Sequence, residues 1–110
     1  MISEKFDNHT YLKDEYDSPS KFARFLDGIY DQFKGENLML DATHYPEFLL
    51  DDALAFLPLS NKHRAEKNSF VIVTDKISYE DAPAELAIAP TLQEGIDLIE
   101  MEEIERDLGF

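Results

Sequence analysis

The sequence predicts an α/β fold: an N-terminal hairpin, then helices alternating with mostly parallel strands, and a long C-terminal helix. Three observations predict it. In residues 18–34, SPSKFARFLDGIYDQFK, Phe22, Phe25, Leu26, Ile29, Tyr30 and Phe33 fall on one helical face. Phe70, Val71, Ile72 and Val73 are consecutive, the pattern of a strand covered on both sides. Thr91 with Glu94 makes a capping box, and spaced apolar residues continue from there almost to residue 110.

Residues 2–16 read as two short strands, with the turn formers of FDNHTY between Phe6 and Tyr11. Their low apolar content makes this an edge hairpin. For the helix over 18–34, Ser18 is the cap, Pro19 the first helical residue and Gly35 the stop. Residues 37–43, NLMLDAT, form a buried strand. PEFLLDDALAFLPLSNKHRAEK reads as a helix interrupted at Pro58, which forces a late start or a kink. SFVIVTD, residues 69–75, is the central strand. A loop with one helical turn leads to a short last strand at 86–89, and the final helix spans Leu92 to Leu108. Gly95 inside that helix predicts a close approach to the sheet, because glycine costs about 1 kcal/mol against alanine there.

The 110 residues fit one domain, 1–110, in which residues 100–110 form an acidic amphipathic extension. There is no cysteine, which excludes disulfides, thiolate metal sites and cysteine nucleophiles. The opening MISEKFDNHTYLKDEY has no apolar run of the signal-peptide kind, so the expected location is the cytoplasm. A net charge of −14 repels phosphate backbones and anionic membranes, so neither nucleic acid nor membrane is an expected partner. The cations Lys62, His63, Arg64 and Lys67 read as complements to a helix C-terminus rather than as a binding patch.

Catalytic motifs are scarce. No glycine-rich phosphate loop, GxSxG turn or HExxH spacing occurs. His9 reads as a turn residue and His63 as part of a polar helix face, both at the surface. His44 follows LDAT at the carboxyl end of a strand, where open α/β sheets place their sites. Asp41, Asp51 and Asp52 could gather there around a divalent cation. The plainer reading has Asp51 and Asp52 favouring a helix N-terminus. No cofactor is expected, and a binding module fits better than an enzyme.

At NLMLDATHYPEFLLDDALAFLPLSNKHRAEKNSFVIV the chain resembles a STAS domain, the fold of bacterial anti-sigma-factor antagonists. LMLDA, SFVIV and APTLQEGI match three places of that family. The resemblance implies a STAS-like mixed sheet and a regulatory, non-enzymatic role in which the partner is an anti-sigma factor or a kinase-like regulator. Asp51 stands where the family's phosphorylated serine would fall, and Asp52 where its glycine would. A carboxylate is no substrate for a serine kinase, and its single charge copies phosphate poorly. The segment from Val73 to Pro90 is also short for the family, and the last helix is long. Small bacterial proteins of this kind are similar to ones carried under a ribonuclease Z label. That activity requires an HxHxDH metal cluster, which the sequence lacks.

Three functional expectations follow. The first is a protein-binding module whose partner surface includes Asp51, Asp52, Met101, Ile104, Leu108 and Phe110. In it the tail offers an acid-rimmed apolar stripe to a partner with a basic or apolar groove. The second is a homodimer assembled through the last helix. The third is a metal-dependent enzyme using Asp41, His44 and Asp51.

Overall fold

A computed structural model describes residues 1–109; Phe110 lies outside the described residues. Five strands form one sheet in sequential order: β1 (Ile2–Lys5), β2 (Thr10–Lys13), β3 (Leu38–Asp41), β4 (Phe70–Val73) and β5 (Ala87–Ala89). β1 and β2 are antiparallel, and every later pair is parallel. The helices are α1 (Pro19–Gly28), α2 (Leu50–Leu54), α3 (Leu57–Ala65) and α4 (Leu92–Asp107). This is the expected α/β layout of hairpin, mixed sheet and long final helix.

The pleat divides the strand residues between two layers. Leu12, Leu38, Leu40, Phe70, Ile72 and Ile88 face one way and pack with Phe22, Leu26, Tyr45, Phe48, Phe56 and Leu59 from α1–α3 and their loops. Met39, Val71, Val73 and Ala89 face the other way, against Ile99 of α4. The apolar run of β4 is thus covered on both sides, as its composition requires.

Several boundaries differ from expectation, each for a local reason. α1 stops at Gly28, and Tyr30–Phe33 continues as a tighter 3-10 turn. Ile29 between them leaves helical geometry, and Phe25 on the expected core face is half exposed. Ser18 sits at the cap position, but its side chain makes no capping bond. The buried Asp14 instead orders the turn before the helix, accepting hydrogen bonds from the Tyr16 and Ser18 amides and from the Tyr45 hydroxyl. Pro58 acts as expected: the chain breaks at Ala55–Phe56, and α3 restarts with Pro58 in its first turn. α3 closes with Lys67 in the left-handed region at φ +64°. Its amide bonds the Arg64 carbonyl and the Asn68 amide bonds the His63 carbonyl, the two links of a Schellman closure.

α4 begins as the sequence indicates, with the Thr91 hydroxyl accepting from the Glu94 amide at 3.1 Å. It then lies low on the sheet. A Cβ built on Gly95 would stand 2.9 Å from Met39 Sδ and 3.1 Å from Val73 Cγ2. The expected close approach is therefore real. Its main contacts run over β4 and β5 with fewer on β3. The same face of β1 and β2 is left open: Ile2 and Glu4 are exposed, and Tyr11 and Lys13 are half-buried.

Gly95→Val should lower the free energy of unfolding by about 1–3 kcal/mol through overpacking against Met39 and Val73. Urea denaturation measures it. Combining it with Met39→Ala should cost less than the sum of the two single changes, because the shortened side chain makes room.

Candidate functional site

The sequence-derived residues separate into two places. Asp51 and Asp52 open α2, in the layer of α1–α3. Met101, Ile104 and Leu108 lie on α4, across the sheet. They do not make one surface.

At α2 the plainer reading holds for Asp52. Its Oδ2 accepts from the Leu49 amide at 2.8 Å, an N-terminal cap. Asp51 is exposed in the same turn, where its charge suits the positive end of the helix. Asp41 ends β3 on the opposite, α4-facing side, level with Lys13. Its oxygens accept from the Tyr11 hydroxyl and from the amide and hydroxyl of Thr43, at 2.9 and 2.6 Å for the Thr43 pair. Burial alone would raise this carboxyl, but the Thr43 and Tyr11 bonds and nearby Lys13 outweigh it and hold it below its usual range. His44 lies against the Tyr45 ring at 4.2 Å between centroids. Asp41, His44 and Asp51 are not gathered: among the described residues no three His, Asp or Glu side chains come together as a metal-holding group.

Two histidines expected at the surface are buried. His63 is fully enclosed. Its Nε2 donates to the Glu36 carbonyl, and its Nδ1 accepts from the Tyr30 hydroxyl at 3.0 Å. Short sequence windows made α3 look polar on that side; the partners come from residues roughly 30 positions earlier. His9 stacks on Phe6 at 5.1 Å and donates from Nδ1 to Asn8 Oδ1 at 2.7 Å. Its Nε2 is buried without a partner. Burial depresses the proton affinity of both rings below the ordinary 6.5; at His63 the Glu36 carbonyl opposes this and Arg64 adds to it.

Lys62, His63 and Arg64 stand in the last turn of α3, as expected of cations at a helix end, but their side chains part. Lys62 reaches Asp27 at 3.6 Å and lies over the Tyr30 ring, Arg64 pairs with Glu102 at 3.1 Å, and His63 turns inward. The Arg64 link belongs to a network that pins the end of α4. Glu102 also accepts from the Ser69 hydroxyl at 2.6 Å, and Arg106 donates to Ser69 Oγ and Asn37 Oδ1 at 3.1 and 3.3 Å. The end of α4 is therefore docked. No motif signalled this network. The only hint was Arg106 as one of two cations among eleven acids after residue 67.

Docking fixes which side of α4 faces outward. Gly95, Ile99, Glu102 and Arg106 share the inward side. Met101, Ile104 and Leu108 fall on the outward side and are 51%, 59% and 66% exposed. Asp97, Glu100 and Glu105 flank them. Among the described residues no helix is long and apolar enough to cross a membrane. The sequence matches no family model and no curated protein.

Stability should fall as the pH drops below 6.5. The unfolded chain protonates its histidines there while His9 and His63 in the fold do not, so the stability present above 6.5 is lost toward their lower folded values. Asp41 adds a second loss below its ordinary 3.8, since its carboxylate form is the one the fold stabilises. Urea midpoints between pH 8 and 5 report the first step. His63→Gln should be less stable at pH 8 but show a shallower decline.

Proposed function

We propose that this chain is a non-enzymatic, cytoplasmic protein-interaction module of STAS type, working without a phosphorylatable serine. α4 is its contact element. The observation that carries this reading is the outward stripe of Met101, Ile104 and Leu108, set among acids on a helix whose other side is locked to the sheet. Large apolar side chains on a rigid helix, with a charged flank, suit insertion into a groove. The acids favour a partner whose groove has a basic rim, and they speed encounter with it. By the resemblance, that partner is a regulator such as an anti-sigma factor or a kinase-like protein. Asp51, exposed at the start of α2, lies in the opposite layer and stands apart from this contact.

A second reading is favoured by the same stripe. Two copies related by a two-fold axis could pack α4 against α4 and bury it in a homodimer. The high like charge of the two copies opposes this.

Ile104→Asp separates the two. The site is exposed, so stability should change by no more than about 0.5 kcal/mol. Pull-down from the native cytoplasm should lose the partner at least about tenfold relative to the unchanged chain. Sedimentation of the purified chain should give a monomer with either residue. A dimer that Ile104→Asp dissolves would establish the assembly reading instead, and unchanged partner capture would remove α4 from the contact.

A further inference from the structure

The open half of the α4-side sheet face is a second unfilled surface. Five strands spaced by about 4.8 Å make a sheet about 19 Å across, whereas a helix with side chains is about 10–12 Å wide. Such a face takes two helices, and α4, centred on β4 and β5, is one. Beside it runs a cleft of about 310 Å³ with Tyr11 and Met39 as floor, Leu92 and Ile96 on the α4 side, and Glu4, Phe6 and His9 on the hairpin side. A second cleft of about 300 Å³ shares Phe6 and His9 and continues to Asp7, Glu36 and Glu103. Together they follow α4 from Leu92 to Glu103, about 17 Å of helix. An elongated occupant fits that shape better than a compact small molecule.

Two features define its chemistry. The acids Glu4, Asp7, Glu36 and Glu103 line the channel against a single cation, Lys5, which is bonded to Glu36 at 3.4 Å. At the junction of the two clefts stands His9. Its Nδ1 donates to Asn8 Oδ1, its ring stacks on Phe6, and its Nε2 is enclosed. Apolar floor and acidic walls describe a site for something apolar on one side and cationic on the other.

We propose that the channel between α4 and the β1–β2 hairpin is the docking site for a basic amphipathic helix of a partner protein. Its apolar side lies on Phe6, Tyr11, Leu92 and Ile96, and its Lys or Arg side chains face Glu4, Asp7, Glu36 and Glu103. The helix completes the layer that α4 begins. This goes beyond the outward stripe, because it uses a different side of α4 and the hairpin.

The probe is a synthetic helix of about 14 residues, Leu on one face and Lys on the other, titrated into the isotopically labelled full chain. Saturating shifts are expected at Phe6, His9, Tyr11, Leu92 and Ile96. Leu92→Asp should weaken binding about tenfold, and Glu103→Gln, which removes one charge from the wall, severalfold. Ile104→Asp should leave it unchanged, so failure of the stripe in partner capture and failure of the channel are told apart. Equal binding of a scrambled peptide of the same composition would overturn the proposal, since a helical face would then be irrelevant. Shifts centred on Met101, Ile104 and Leu108 would overturn it too. So would a dimer of the chain alone that Leu92→Asp dissolves, because the occupant would then be a second copy.

Discussion

The contact at Gly95 is the constraint on which the rest of this structure depends. A side chain there would lift α4 off Met39 and Val73. Because none is present, the helix lies close enough for Ile99 to be fully buried, a gain of about 1.5–3 kcal/mol. The same closeness brings Glu102 and Arg106 within reach of Ser69 and Asn37 at the amino end of the sheet. Once those four residues are joined, the rotation of α4 is fixed. What points outward and what stays bare beside the helix both follow from that rotation.

The polar network and the apolar contact divide the work along α4. Its first half is held by packing, its second half by hydrogen bonds to buried groups. Ser69 is fully buried and sits between a carboxylate and a guanidinium, so removing either leaves a buried group unsatisfied. This explains how a helix so rich in acids stays on an apolar sheet: the inward acid, Glu102, is matched by Arg64 and by the Ser69 hydroxyl. The remaining acids stay in water.

Element order and strand positions were legible in the sequence because β3, β4 and α4 carry strong local signals: continuous apolar runs and a capping box. Pro58 and Gly95 were legible because each has a conformational property no other residue shares. The buried histidines were not. His63 is enclosed by Tyr30 and Glu36, contributed by a segment that folds over it from far along the chain. Nothing in KHRAEK reveals that. Asp14 was hidden for the same reason, since one of its partners, Tyr45, lies 31 residues away. The stripe of Met101, Ile104 and Leu108 was visible as a pattern, but its outward direction depends on Arg106 reaching Asn37, a link 69 residues long. The channel beside the hairpin has no sequence signature at all, because it is defined by what α4 leaves uncovered.

The long reach of that link has a consequence for how the sheet stays covered. Until α4 docks, the sheet is covered on one face only, by α1–α3. In that interval Met39, Val71, Val73 and Ala89 form an uncovered apolar plane on a nearly complete domain. Such a plane is the kind of surface on which nascent chains adhere to one another. A change that loosens α4 would therefore bare this plane, and the acids of the docked helix add like charge between folded chains.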